Sequence, residues 1–212
     1  MKKVIALFII FVCVGSALSA QIKMAAAGGG ALFDMSFGNG GKAEESPYRL
    51  EVSENFTSFG AFGFIDLIYA EIDVYLAYGQ LTRIWESNIP STYGNGSRSG
   101  NSASFGFTLL GKYPIELSPF TIFPLLGIGY NFVLSYKLGT YEEDKPGDYS
   151  QFGFLGGVGM DFPLSDKYFL RAEGLLVIRL SSKYYNDLYN FSGAETTLGI
   201  GPRIKVAVGF HL

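Results

Sequence analysis

The sequence predicts an all-β fold, an antiparallel up-and-down barrel of eight membrane-spanning strands, on three observations. The first is the C-terminal stretch, where Ile204, Val206, Val208, Phe210 and Leu212 alternate with Lys205, Ala207, Gly209 and His211. A strict period of two gives a strand one apolar face and one polar or small face. A terminus of this kind is expected where a last strand completes a barrel in lipid, because no backbone group there can stay unpaired. The second is that alternating segments recur along the chain, joined in turn by short turns and long polar connections. The third is composition: 28 Gly, 19 Phe and 14 Tyr beside one Trp suit strands better than helices.

The elements follow in order. Lys2 and Lys3 precede an apolar run from Val4 to Val14, and small residues follow through Ala20. This reads as a secretory signal peptide over 1–20, cleaved after Ser19 or Ala20, because the run is too short for a membrane helix. Residues 21–212 then form one barrel domain. Cys13 falls inside the leader, so the mature chain would carry no disulfide. Removing Lys2 and Lys3 from 16 basic residues leaves 14 against 19 acidic ones, a formal charge of −5. That balance argues against nucleic acid.

Strands are predicted near 24–37, 57–67, 69–82, 102–113, 120–136, 150–163, 168–181 and 194–212. The first has the faintest pattern, since Ala25 to Gly30 are all small. In the sixth, Phe152, Phe154, Val158, Met160 and Phe162 alternate with Gln151, Gly153, Leu155, Gly157, Gly159 and Asp161. In the seventh, Leu170, Ala172, Leu176, Ile178 and Leu180 alternate with Arg171, Glu173, Leu175, Val177 and Arg179. Leu67-Ile68, Pro114 to Pro119 and Leu164 to Lys167 read as short turns. Residues 38–56, 83–101, 137–149 and 182–193 read as longer outer loops, the asymmetry of outer-membrane barrels.

A soluble β-sandwich also alternates. Two observations weigh against it. Large apolar residues take one face of nearly every strand, while charges take the other face in several. Tyr69, Tyr113, Phe120, Phe162, Tyr168 and Phe210 gather at the short-turn end, as a belt at the lipid headgroups would.

With the terminal Ile204-x-Val206-x-Val208-x-Phe210-x-Leu212 and the turn-strand stretch Tyr168-Phe169-Leu170-Arg171-Ala172-Glu173, the chain resembles the small eight-stranded outer-membrane barrel superfamily of OmpA-, OmpX- and OmpW-type proteins. The resemblance spans the mature chain as a pattern. It implies residence in outer-membrane lipid as a monomer, delivery by periplasmic chaperones and insertion by the barrel-assembly machinery. Ile204, Val206, Val208, Phe210 and Leu212 would be the assembly signal. Members usually end in an aromatic residue, whereas this chain ends in Leu212, two places after Phe210. The fold does not fix an activity.

Eight strands enclose only enough room for side chains. The inward set predicts a lumen ion-pair network of Glu71, Asp73, Lys112, Arg171, Glu173, Arg179, Glu195, Arg203 and Lys205. Centring the sixth turn on Ser165 sets Arg171 opposite Gly159 and Glu173 opposite Gly157, glycines leaving room for the charged chains. A matching register sets Glu173 beside Arg203 and Arg179 near Thr197, diagonal to Glu195. A plugged lumen follows, serving envelope structure or surface binding. Phe62, Phe64, Leu125 and Leu175 on the inner face allow the alternative, a narrow OmpW-like pore for small, hydrophobic molecules.

Chemistry finds little support. A lipid-modifying enzyme of the outer membrane would need a histidine base near the loops, and the single His211 lies at the opposite rim. The shortage of His and Cys argues against a transition metal, and no cofactor is expected. Glu142-Glu143-Asp144 reads as a solvated tip. Gly153 to Gly159 lacks the helix that a phosphate loop requires. Rigid scaffolds display binding residues on loops, so Tyr93, Arg98, Tyr184, Tyr185 and Tyr189 are the candidates for an external ligand.

Overall fold

The computed structural model describes residues 26–45, 48–87, 95–142, 145–180, 182–183 and 195–212. Its strands are β1 (Ala26–Glu45), β2 (Tyr48–Asp66), β3 (Ala70–Ser87), β4 (Gly96–Lys112), β5 (Ile115–Leu117), β6 (Phe120–Leu138), β7 (Tyr141–Glu142), β8 (Gln151–Pro163), β9 (Tyr168–Arg179), β10 (Glu195–Thr197) and β11 (Gly199–His211). Three are short: β5 and β7 add to β6, and β10 adds to β1. The other eight each pair antiparallel with the next long strand in the chain. β11 then returns to β1, with Ala26 opposite His211 and Phe33 opposite Ile204. The eight long strands therefore close on themselves as an up-and-down barrel. Closure matters physically because it leaves no strand edge unpaired.

Side chains sort as in a barrel surrounded by lipid. Leu126 is 74% exposed and Phe59 66%, while the neighbouring Leu125 and Ser58 are buried. Polar and charged groups such as Arg171, Glu71 and Lys205 lie inside. A water-soluble sheet would reverse this, since exposing apolar surface to water costs about 25 cal/mol per Å². At the short-turn end, the Tyr69 and Tyr113 rings beside β3 and β4 lie 6.5 Å apart, and Phe120 of β6 and Phe162 of β8 6.0 Å apart. The turn after β2 is tied by the Ile68 N–H donating to Asp66 Oδ1 at 2.9 Å. That bond helps hold Ile68 at φ 72°, a conformation costly for a β-branched residue.

The strands differ from the sequence expectation in three ways. First, the predicted loops 38–56 and 83–101 are largely β-hairpin, β1 with β2 and β3 with β4. At ~3.3 Å per residue, strands of 17 to 20 residues outreach the bilayer core and continue beyond it. Beyond the lipid neither face need be apolar, so Ser, Asn and Gly can occupy a paired ribbon that looks like a loop in sequence. Second, bulges interrupt the alternation, between Ser36 and Asn39 in β1 and opposite Ala103–Ser104 in β6. Third, the segment read as a turn over Pro114 to Pro119 contains β5, paired with β6 from Ile115 opposite Ile122 to Leu117 opposite Phe120.

The register of the last strands is displaced by two residues from the expected one. Arg171 faces Asp161, Glu173 faces Gly159, and Leu175 takes the place opposite Gly157. On the other side Glu173 faces Lys205 and Arg179 faces Gly199. The cause is the turn: the Leu164 and Ser165 N–H groups both donate to the Tyr168 carbonyl, at 2.8 and 3.0 Å. The bend therefore centres on Asp166 and not on Ser165.

Candidate functional site: the charged lumen

Inward positions near the short turns bring together β2, β3, β4, β8, β9 and β11. Arg171, 1% exposed, is the hub. Its guanidinium pairs with Asp66 at 2.7 Å, with Asp161 at 2.6 Å and with Glu71. Rings of Phe64, Phe123 and Phe169 lie 4.6, 5.0 and 5.1 Å from its carbon centre. Lys112 reaches the same Asp66 carboxylate. Lys205 forms the adjacent node, ion-paired with Asp73 at 2.6 Å, Glu173 at 2.5 Å and Glu71 at 3.2 Å. The Thr108 hydroxyl donates to Asp73 at 2.5 Å. Buried charges persist only with partners of this kind, because desolvation costs several kcal/mol per ion.

Further from the short turns, Asp34 bridges two arginines, Arg179 at 2.5 Å and Arg203 at 2.7 Å. Arg203 also donates to the Tyr75 hydroxyl at 3.2 Å. A third group joins Arg83 to Glu54 at 2.8 Å, with Tyr136 donating to the same carboxylate. Tyr149, carried on a 3₁₀ turn at Pro146–Tyr149, stacks on Tyr136 with centroids 3.9 Å apart. A cavity of about 60 Å³ lies between this group and Asp34.

Of the predicted network, Glu71, Asp73, Lys112, Arg171, Glu173, Arg179, Arg203 and Lys205 all carry ion pairs in the lumen. Their partners differ from those expected. Glu173 meets Lys205 and not Arg203, and Arg179 meets Asp34, as the two-residue displacement requires. Only Gly159 serves a ring: a Cβ there would strike the Phe123 ring, whereas one on Gly157 would strike the backbone of β9. Neither opens space directly for Arg171 or Glu173. Glu195 pairs with Lys42 through the backbone, and its side chain lies outside the described residues.

Sequence reasoning missed Asp34, Glu54, Asp66, Arg83 and Asp161 as members. Asp66 could have been found, since it continues the inward period of Phe62 and Phe64. So could Asp161, which continues that of Gly157 and Gly159. Ile204, Val206, Val208 and Phe210 point outward on β11, and Leu212 follows its end, 64% exposed. Arg98 is not on a loop: it lies in β4 opposite Arg83, because the hairpin runs on past the lipid. Tyr93, Tyr184, Tyr185 and Tyr189 fall outside the described residues. His211 sits at the rim, its ring 4.9 Å from that of Phe169.

No family model matches the chain, and no curated protein does. Among solved structures it is similar to Ail, the attachment invasion locus protein of Yersinia pestis, at 10% identity over 90% of this chain and 100% of that one, with a TM-score of 0.39. It is similar also to the translocator domain of the autotransporter NalP from Neisseria meningitidis, at 12% identity over 94% of this chain and 92% of that one, with a TM-score of 0.32. At these scores neither likeness bears on function.

Proposed function

We propose that this chain is an outer-membrane barrel of non-enzymatic role, whose lumen is a structural plug and whose outer hairpins face the exterior for surface binding. The buried Arg171 hub supports this reading above all. It ties β9 to β2, β3 and β8 across the lumen, through Asp66, Glu71 and Asp161. Phe62, Phe64, Leu125 and Leu175, which could have lined a hydrophobic route, are packed inside, and the Lys205 ammonium lies 5.0 Å from the Phe62 ring. An apolar exterior with a polar interior supports residence in the outer membrane after export by an N-terminal signal peptide. Insertion would use the barrel-assembly machinery, with outer-membrane lipid as the main partner and a monomer as the working form.

The test is single-channel recording on the refolded chain in a planar lipid bilayer. A silent barrel is expected over the usual voltage range, and also with Glu173→Gln, which removes the Glu173–Lys205 ion pair and leaves Lys205 on Asp73 and Glu71 and Arg171 in place. Steady unitary conductance from the unaltered barrel would overturn the plug and favour a narrow pore.

A further inference from the structure

The lumen half away from the short turns holds groups that the plug does not use. We infer that the cavity there is a binding site for one small monovalent anion of about the size of chloride. Charge carries the inference. Among the described residues Asp34 is the only carboxylate paired with Arg179 or Arg203, so two guanidiniums share one negative charge. Glu54, across the cavity, is already matched by Arg83. Arg179 and Arg203 are both buried, which keeps bulk water from screening the excess. One positive charge is left over in the interior, where a charge without a counterpart is strongly unfavourable.

Donors without partners surround the same space. Ser36 and Ser58, 3% and 1% exposed, line the cavity, and neither Oγ has a hydrogen-bond partner among the described residues. A smaller cavity of about 10 Å³ adjoins it, sharing Tyr75, Asn131, Gln151 and Arg179 and lined also by Arg203. The buried Arg203 Nε has no partner either, and a guanidinium N–H can only donate. Volume and charge then select the class. At about 60 Å³ the main cavity is less than half the ~150 Å³ that holds benzene, while one water needs ~10–15 Å³. The space takes an inorganic ion with a few waters and excludes an organic ring. Water alone would satisfy the hydroxyls but leave the positive charge, a cation would add to it, and a divalent anion would reverse it. A monovalent anion answers the charge, the donors and the volume together.

The site shares Asp34 and Arg203 with the proposed plug, so the experiment must separate the two readings. The full chain, isotopically labelled and refolded in chloride-free detergent micelles, is titrated with sodium chloride and followed by amide NMR shifts. Sodium gluconate, whose anion is too large for the cavity, holds the ionic strength constant. Saturable shifts are expected at Ser36, Ser58 and Asn131. Ser58→Ala should weaken saturation about tenfold or more, the loss of one hydrogen bond to a charged partner. Asp34→Asn leaves both guanidiniums unmatched and should tighten it at least about tenfold, which the loss of a merely structural residue would not do. Ser58→Ala removes no charge and adds no bulk, and so preserves the test if Asp34→Asn fails to fold. Absence of saturable shifts in the folded barrel overturns the proposal and leaves a chamber for water only. Weaker saturation in Asp34→Asn, or unchanged saturation in Ser58→Ala, overturns it too, by placing the chloride elsewhere. Tighter saturation with sodium sulfate would overturn the monovalent class. A conducting barrel that still saturates with chloride would sink the plug and leave the anion site standing.

Discussion

Arg171→Leu is expected to lower the stability of the barrel by about 3–5 kcal/mol, the range for removing one partner from a buried ionic group. The leucine would sit comfortably among Phe64, Phe123 and Phe169, so lost packing is not the main effect. The carboxylates left behind decide it. Glu71 is fully buried and would retain only Lys205, at 3.2 Å. Asp66 would retain Lys112, and Asp161 would lose the bidentate pair at 2.7 and 2.6 Å. Urea unfolding of the refolded chain, followed by fluorescence of the single tryptophan, Trp85, measures the change. Glu71→Gln in the Arg171→Leu background should recover part of the loss, because it removes one of the orphaned charges. The comparison is Lys183→Ala. That residue pairs with Asp148 at 3.2 Å but is 66% exposed, and its loss should move stability by less than about 1 kcal/mol. If Arg171→Leu also costs less than that, the hub is not what holds the strands across the lumen.

The difference between these two pairs was only partly legible in the sequence. Parity in β8, β9 and β11 identified Arg171, Glu173, Arg179, Arg203 and Lys205 as inward, because lipid on one face forces an uninterrupted apolar set. Partner choice was not legible, because it depends on register. Register depends in turn on which carbonyl a turn closes on, and the Tyr168 carbonyl moved the seventh strand by two residues. Asp34 was hidden differently. It lies in the small-residue strand β1, where Gly28, Gly30 and Ala31 give no apolar contrast to mark the faces. Glu54 and Arg83 lie where β2 and β3 run beyond the lipid. There the constraint that writes the pattern is absent, while the backbone ladder and the inward direction persist.

Gly30→Val is expected to prevent closure of the barrel in most molecules. Gly30 sits in β1 opposite Ala207 of β11, at the seam between the first and last long strands. A Cβ there would meet the Val206 carbonyl oxygen and come within 2.5 Å of the Ala207 Cα. Both are backbone atoms, so no side chain can rotate away and the two strands must part. Overpacking a core costs about 1–3 kcal/mol where side chains adjust, and a seam whose backbone must move should reach or exceed the top of that range. Gly174→Val provides the control. On the outward face of β9 its Cβ would meet nothing within 4 Å. Valine's strand preference there should leave stability unchanged or raise it by up to about 1 kcal/mol. The folded fraction after refolding into micelles, scored by electrophoretic mobility of unheated against heated samples, compares the two. Equal folded yields would mean that the β1–β11 seam tolerates a side chain at Gly30. The close approach of those strands would then not be what closes this barrel.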